Sequence, residues 1–378
     1  MTTFIVFILI LSVLVLVHES GHFFVAKKLG IKVEEFGLGL PPRILGKQIG
    51  DTIYSLNLLP FGGFVKVLGE EPEEIPGVDV QHDPASFAAR SPLHRLLVLG
   101  AGVFMNVVLA VVLFYVVLAM SGFKTSYIPL FFDYNFRFGN ESIIGAVVTS
   151  IEKDSAAEKA GIMVGEAVLQ IDEEPVNNAS DIRRVLESKV DTEVNVLLKD
   201  IKEGETGAMR TVTLVPSLDE KGNPVLGVYL TKSVSLQYVT PVQTAFSGFF
   251  HAYNVTAYSL SSFGKLISLS FESKTISPVS QSVSGPVGIY QVIGSVLEYG
   301  GDKVLVNILD FIALMSISLA FVNILPLPAL DGGRMLFVVI EKVRGKKISP
   351  AFEANIHKIG IMFLLGLIVL ITIKDIVQ

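Results

Sequence analysis

The sequence of 378 residues contains no cysteine. Disulfides, cysteine nucleophiles and thiolate metal sites are therefore excluded, and any bound metal must be held by His, Asp or Glu. Charge is also scarce, because only 17% of the residues are charged. The net charge of −6 offers no basic surface for nucleic acid, and we expect no nucleic-acid partner.

Apolar residues are abundant: they make up 51% of the chain, and the mean hydropathy is +0.58. A soluble protein covers its surface with charge, so this excess indicates a lipid bilayer. Four apolar runs are long enough to cross one, at residues 4–26, 96–120, 308–325 and 356–373. No Lys or Arg precedes Lys27, so the first run is predicted to be a retained membrane helix and not a signal peptide.

Basic residues predict the orientation of these helices. Lys27, Lys28 and Lys32 follow the first run, and a second basic cluster lies between the third and fourth runs. The positive-inside rule places both clusters in the cytoplasm, with both termini and the long segment between the second and third runs outside. We therefore predict a multi-pass protein of the inner or plasma membrane.

The chain is predicted to divide into seven segments. These are a first transmembrane helix (1–30), a cytoplasmic-side β-hairpin and loop region (31–95), a second transmembrane helix (96–120), a linker (121–142), a compact α+β domain (143–232), an amphipathic helix with a Gly/Pro loop (233–303), and the third and fourth transmembrane helices (304–378).

Two helices are predicted inside 143–232. Gly161 is expected to end the first, and Ser180 or Asp181 to begin the second. A further helix at 242–268 carries an apolar stripe at three- or four-residue spacing. This stripe either lies on the outer membrane surface or packs on the soluble domain, because amphipathicity alone does not identify what the helix faces.

The motif His18-Glu19-Ser20-Gly21-His22 lies in the first apolar run. A four-residue spacing on a helix puts both imidazoles on one face, within reach of one Zn²⁺. Glu19 sits beside them, where it can take a proton from water without binding the metal. The alternative is a set of polar residues near the membrane interface, but burying them without a partner is expensive.

A catalytic zinc needs a third protein ligand and one open position. Four other histidines lack a supporting pattern: His82, His94, His251 and His357. Asp331, in NILPLPALDGGR, is the better candidate, because it closely follows a membrane helix and Gly332-Gly333 permit close backbone approach. The alternative for Asp331 is a cap of the following helix.

The chain resembles the site-2 protease family of intramembrane zinc metalloproteases. Three features carry the resemblance: HESGH, NILPLPALDGG, and an α+β segment of PDZ pattern between helices two and three. Within this family, four further segments resemble the bacterial RseP-like branch: VEEFGLGLPPRIL, LLPFGGFVKVLGE, SPLHRLLVLGAGVFMN and SGPVGIYQ. The resemblance covers nearly the whole chain. It implies a polytopic α-helical membrane protein with about four transmembrane helices, a small membrane-associated β-hairpin or sheet, and one extracytoplasmic α+β PDZ-like domain.

The resemblance also implies residue roles. His18, His22 and Asp331 would be zinc ligands, Glu19 the general base, and Asn323 and Pro326 contacts to the substrate backbone. Asn323 could instead make an interhelical hydrogen bond. Many relatives carry Gly-Pro before Asn106, whereas this chain has Gly102-Val103, so Asn106 could be structural.

The implied activity is cleavage of transmembrane segments of single-span membrane proteins in regulated intramembrane proteolysis. Substrates would be anti-sigma factors or remnant signal peptides, first cut by an upstream site-1 protease, and the active site would lie toward the cytoplasm. Two alternatives remain, an inactive membrane-anchored PDZ scaffold and a metal transporter. Transport would require ionisable residues along several helices, whereas here they cluster at one depth.

Overall fold

The computed structural model describes residues 1–70, 82–200, 208–219 and 222–377. Residues 71–81 of the predicted 31–95 region lie outside the described part. The chain forms two compact units: Met1–Val117 with Leu266–Gln378, and Leu118–Lys265.

The helices, in chain order, are α1 (Thr2–Lys28), α2 (Pro92–Met120), α3 (Ala156–Lys159), α4 (Ala179–Leu186), α5 (Pro241–Ala245), α6 (Ser247–Ser273), α7 (Ser277–Ser282), α8 (Pro286–Tyr299), α9 (Val304–Ile324), α10 (Asp331–Arg344) and α11 (Pro350–Val377). The strands are β1 (Val33–Ile49), β2 (Thr52–Val67), β3 (Ile128–Leu130), β4 (Asn140–Ile151), β5 (Glu166–Ile171), β6 (Glu174–Pro175), β7 (Val194–Asp200), β8 (Met209–Leu214), β9 (Ser217–Leu218), β10 (Pro224–Val225) and β11 (Val228–Gln237).

Among the residues that the structure describes, four helices are long and apolar enough to cross a membrane: α1, α2, α9 with the 3-10 turn before it, and α11. Between 11% and 33% of the residues in their most apolar stretches are buried. Most of these apolar side chains therefore face outward, a surface that suits lipid and not water. The prediction of four spanning helices is confirmed, although α9 and α11 begin at Val304 and Pro350, earlier than expected.

Strands β1 and β2 form a sheet in which each strand bends and pairs more than once. Residues 35–38 pair with 63–66 on one side and with 53–56 on the other, and residues 45–49 pair with 52–56. Within the described parts of the chain, residues 53–56 are thus interior to the sheet and residues 63–65 lie at its edge. The Ser12 hydroxyl of α1 donates to the Pro60 carbonyl at 3.0 Å, which joins the sheet to the first helix.

Two buried clusters hold the first unit together. One joins α1, α2, both strands and α10 through residues such as Phe23, Val67, Leu99 and Val338, all at most 8% exposed. The other joins α1 to α8 through Ile10, Leu14 and Ile293, with partly buried residues of α9 packed around them. The helix α10, which begins at Asp331, therefore packs in the same core as α1.

The segment predicted as a Gly/Pro loop contains two helices, α7 and α8, so that part of the prediction is wrong. Helix α8 is short and begins at Pro286 after Gly285, residues that suggest a loop when they are seen alone. Its first turn is capped from a distance: an Asp375 carboxylate oxygen accepts from the backbone N–H of Gly285 and Gly288 at 2.8 and 2.9 Å. Because Asp375 is 90 residues away from Gly285 in the sequence, no residue pattern near α8 reveals this cap.

The second unit is built on a seven-stranded sheet with the order β3-β11-β4-β5-β7-β8, and β6 pairs with β5. Helices α3 and α4 cover its main core, which includes Ala157, Ile182 and Leu198. Gly161 follows α3 with φ +71°, as predicted for a C-terminal glycine. The predicted start of α4 is wrong, because Asn178 is the N-cap and its side chain accepts from the Asp181 N–H at 2.9 Å.

The helix predicted at 242–268 is interrupted after α5 and continues as α6. Its polar side is buried: His251 is 6% and Asn254 1% exposed, and Asn254 donates to the Phe138 carbonyl at 2.8 Å. Its aromatic stripe points outward, with Phe249 56% and Phe263 47% exposed. The helix packs within the second unit through this polar side together with Phe250 and Tyr258, and much of its aromatic stripe stays exposed.

Candidate metal centre

Helix α1 carries two histidines on its inner face. His18 and His22 are 7% and 9% exposed, and their Nε2 atoms lie 3.1 Å apart. The four-residue spacing on a continuous helix produces this convergence.

Asp331 reaches the same point from the other end of the chain. The loop after α9 folds back on the start of α10, where a side chain at Gly332 would lie 2.5 Å from the Ile324 carbonyl carbon. The glycine therefore permits the close approach expected from the sequence. The Asp331 Oδ2 atom lies 3.0 Å from His18 Nε2 and 3.4 Å from His22 Nε2.

Two of these three atoms are acceptors. His22 Nδ1 lies 2.8 Å from the Val98 carbonyl and donates to it, so the Nε2 atom presents a lone pair when the ring is neutral. Asp331 Oδ2 is buried and has no hydrogen-bond donor within the described chain. Ligands about 2.0–2.1 Å from a tetrahedral zinc are about 3.3 Å from one another, close to the separations of these atoms. The three groups fit a zinc ion.

Asn106 of α2 contacts the outer side of the His18 ring. Its side-chain amide lies 3.1 Å from His18 Nδ1, and its backbone carbonyl accepts from the Ser316 hydroxyl of α9 at 2.8 Å. Metal binding at Nε2 requires the amide orientation in which the oxygen accepts the Nδ1 proton. The Asn106 side chain is therefore positioned to orient a ligand, a contact that the sequence analysis missed.

Two glycines let α1 and α2 meet at this depth. A side chain at Gly21 would overlap the Ala101 carbonyl, and one at Gly102 would lie 2.7 Å from His18 Nε2. In the sequence alone, Gly102 stands out only as part of a departure from the family pattern. A glycine on the inner face of an apolar helix was the available signal, but it does not reveal its partner.

Glu19 is half-buried and lines a cavity of about 370 Å³ together with His22 and Asp331. Residues 64–67 of the sheet edge form another wall, and the ion pair of Arg334 with Glu70 closes one side. A carboxylate beside candidate metal ligands, in a cavity with room for water, is suited to proton transfer.

The remaining candidates lie outside this cavity as it is formed by the described residues. Asn323 is half-buried near the end of α9, and Pro326 is exposed in the following loop. Among the histidines without a pattern, His251 belongs to the second unit, while His357 on α11 accepts the backbone N–H of Ala329 at 2.9 Å.

An HExxH helix that is long and apolar enough to span a membrane, combined with a distant carboxylate, defines a membrane-embedded metallopeptidase. Comparison with known families agrees, since the model of peptidase family M50 matches residues 6–367. The chain belongs to this family, the site-2 proteases, and is a zinc metalloprotease of the site-2 type.

Similar proteins align over nearly their full length. A predicted zinc metalloprotease of Clostridium perfringens is 35% identical over 98% of this chain and 97% of its own. The zinc metalloprotease RasP of Oceanobacillus iheyensis is 27% identical over 100% of this chain and 99% of its own. The regulator of sigma-W protease RasP of Bacillus subtilis is 27% identical over 99% of this chain and 98% of its own.

Among solved structures, the PDZ domain of the SdrC-like protein of Listeria innocua is similar to part of the chain. It is 23% identical, covers 23% of this chain and 92% of its own length, and has a TM-score of 0.19.

Proposed function

We propose that this protein hydrolyses a peptide bond within or beside a transmembrane segment, with His18, His22 and Asp331 as its zinc ligands. The observation that carries this proposal is the convergence of two Nε2 atoms and one carboxylate oxygen, all within 4.8 Å of one another, on a membrane-spanning helix and the loop after another. When bound, zinc would polarise the scissile carbonyl and acidify water.

Glu19 is the general base in this proposal. It is adjacent in sequence to a metal-site histidine and lines the same cavity as His22 and Asp331. Its carboxylate takes a proton from the attacking water and delivers it to the leaving amine. The Asn106 amide accepts the His18 Nδ1 proton and keeps Nε2 directed at the metal.

The substrate must present an extended backbone, because a helix hides its carbonyls in its own hydrogen bonds. The sheet edge at residues 63–65 is suited to hold it by strand addition, since within the described parts of the chain these residues pair only with 36–38, and the neighbouring wall of the cavity begins at Phe64. Asn323 and Pro326 lie on the chain that leads to Asp331 and would contact the unwound segment.

The second unit is proposed to be an extracytoplasmic PDZ-like filter, with the catalytic site toward the cytoplasm. The basic residues after α1 and between α9 and α11 support this orientation. The exposed aromatic side of α6 would rest on the outer membrane surface, where aromatic residues are favoured.

Single-span membrane proteins that an upstream site-1 protease has already shortened are the proposed substrates. Anti-sigma factors and remnant signal peptides are the candidates. The name of the Bacillus subtilis relative, regulator of sigma-W protease, supports the first class.

Co-expression with tagged single-span proteins that are truncated on the outer side tests this function. Wild type is expected to release a shorter fragment, and Glu19→Gln is expected to release none while it retains zinc. Cleavage that persists in Glu19→Gln, or no Glu19-dependent cleavage of any candidate, would refute the proposal. The second result, in a chain that retains its fold, would favour a scaffold.

A narrower experiment tests Asn323. The variant Asn323→Ala is compared with wild type on one substrate that is helical and one that is already unwound. A larger loss on the helical substrate is expected if Asn323 holds a freed backbone group. Equal activity of variant and wild type on both substrates would refute that role.

A further inference from the structure

A backbone hydrogen bond joins the last membrane-spanning helix to the loop that carries Asp331. The Ala329 N–H donates to Nδ1 of His357 at 2.9 Å, and Ala329 is two residues before Asp331. His357 is 8% exposed, so the accepting side of this part-buried contact is largely removed from water. A hydrogen bond with a largely buried acceptor constrains a loop more than a fully exposed one does, because water competes less for the amide.

Ala329 has an unusual backbone conformation. Its φ is +79°, in the left-handed region that residues other than glycine rarely adopt. Such a conformation is unfavourable for a residue with a Cβ atom and persists only when the surroundings impose it. The His357 ring is positioned to impose it, because it accepts the N–H of the residue concerned.

Helix α11 contacts the same loop a second time, one turn further on. A side chain at Gly360 would lie 2.6 Å from the Pro328 carbonyl oxygen, so the helix backbone and the loop are in direct contact there. His357 and Gly360 are three residues apart and share one face of α11. That face therefore contacts both Pro328 and Ala329.

The His357 ring has no other hydrogen bond in the described parts of the chain. Nδ1 accepts from Ala329, so a neutral ring carries its proton on Nε2. Nε2 is buried without a hydrogen-bond partner among the described residues, and the nearest carboxylate oxygen, on Glu353, is 3.9 Å away. The specific polar contact of this buried imidazole is thus with the ligand loop.

We propose that His357 is a positioning residue for the metal site: by accepting the Ala329 N–H, it holds the loop in the form that directs Asp331 at His18 and His22. This inference rests on the proposed role of Asp331 as a metal ligand. Helix α11 contributes none of the three proposed ligands, but it thereby sets the position of one of them, Asp331.

Two variants of nearly equal size test the hydrogen bond. In His357→Asn the amide oxygen occupies the place of Nδ1 and can accept the N–H, whereas His357→Leu offers no acceptor. The full chain is purified in detergent, and zinc affinity is measured by competition with a chelator, together with the visible spectrum of the cobalt-substituted protein and the midpoint of thermal unfolding.

We expect His357→Asn to bind zinc within about threefold of wild type and His357→Leu to bind it about 10- to 100-fold more weakly, the range found when partners of metal ligands are removed. The cobalt spectrum should change only in the leucine variant. Equal zinc affinity in wild type and both variants would overturn the proposal, and so would equal losses in both variants that follow the thermal midpoint.

Glycine substitutions on the same helix provide an independent test. Gly360→Ala should displace the loop and weaken zinc binding, whereas Gly366→Ala, which meets no atom within 4 Å, should leave it unchanged. Equal zinc affinity in these two variants would contradict the proposal that the contact of α11 with the loop positions Asp331.

The variant Asp331→Asn distinguishes a failure of the proposed metal ligand Asp331 from a failure of the positioning role of His357 alone. If it weakens zinc binding and His357→Leu does not, only the positioning role fails. If wild type binds no zinc, or Asp331→Asn has no effect on zinc binding, the assignment of Asp331 fails and the positioning role fails with it.

Discussion

Gly102 and His22 lie so close together that no side chain fits between them. A Cβ atom added at Gly102 would overlap Nε2 of His22 and would lie 2.7 Å from Nε2 of His18. These are the atoms proposed to bind zinc, so the backbone of α2 forms one wall of the metal site. The absence of a side chain at position 102 is a requirement of the site and not only of helix packing.

The variant Gly102→Ala should therefore lose zinc. Its methyl group would push the two imidazoles apart, and we expect zinc content below about a tenth of the wild-type value, because each displaced ligand costs at least a factor of ten. Zinc per chain in the purified protein is the measurement. Gly100→Ala is the matched control, since its nearest atom is Met335 Cε at 3.9 Å. Equal zinc loss in both variants would show that any side chain added to this part of α2 lowers zinc binding, and it would contradict a specific requirement at Gly102.

Asn106→Leu tests the contact behind His18. Without an acceptor for the Nδ1 proton, the ring loses its fixed orientation, and zinc affinity should fall about 10- to 100-fold. Chelator competition measures this change. Ser316→Ala is the control, because it removes the hydrogen bond to the Asn106 backbone at 2.8 Å and leaves the amide in place. A zinc affinity that Ser316→Ala lowers as much as Asn106→Leu would speak against a specific role of the amide.

The ion pair between Arg95 and Glu341 should contribute to stability. Its atoms are 2.6 Å apart, its side chains are 9% and 7% exposed, and Glu341 also accepts the Ile348 N–H at 2.8 Å. Glu341→Ala leaves a buried, uncompensated charge, and the free energy of unfolding should fall by about 3–5 kcal/mol. Unfolding in mixed micelles measures it.

An exposed ion pair serves as the control. Arg184 and Glu174 are 3.8 Å apart with side chains 65% and 59% exposed, and Glu174→Ala should change the free energy of unfolding by less than about 1 kcal/mol. Losses of similar size in the two variants would contradict the distinction between buried and exposed pairs.

His251 should make the second unit sensitive to acid. Burial lowers the pKa of His251 to about 4, whereas the free side chain titrates near pH 6.5. Above about pH 6.5 the histidine is neutral in both states; below it the unfolded chain takes up a proton that the folded chain cannot, so stability falls until about pH 4. The total loss is about 3 kcal/mol, at about 1.4 kcal/mol per pH unit.

The comparison of wild type with His251→Asn isolates this effect from other titrating groups. Asparagine keeps an acceptor near the Tyr238 hydroxyl, which is 3.3 Å from Nδ1, but it does not titrate. Hydrogen exchange gives the opening free energy of the second unit. Between pH 7 and 4.5 this free energy should decline less in the variant than in wild type as the pH falls. Parallel curves for the two proteins would exclude His251 as the cause.

Local patterns in the sequence predicted one part of this site and not the rest. His18, Glu19 and His22 follow from spacing on a helix, and Asp331 from a short motif after another. Gly102, Asn106 and His357 could not be assigned roles in this way, because their contacts depend on which helices meet and at what depth. Nothing beside His357 in the sequence points to Ala329, which precedes it by 28 residues.

The helix α6 shows the same limit for the fold. Its aromatic stripe was visible in the sequence, but whether the stripe or the polar side faces the second unit was not. Tyr238 and the Phe138 carbonyl provide hydrogen bonds to the polar side, and this distant polar lining decides the orientation. Periodicity identifies the two faces of a helix and does not say which one is buried.

X-ray absorption at the zinc edge on the purified wild-type chain tests the proposed metal site directly. We expect one zinc per chain with four nitrogen or oxygen ligands at about 2.0–2.2 Å, two of them imidazoles, and an unchanged spectrum in Glu19→Gln. A site with three or more imidazoles, or an undiminished zinc signal in a chain carrying His18→Ala and Asp331→Ala, would contradict it.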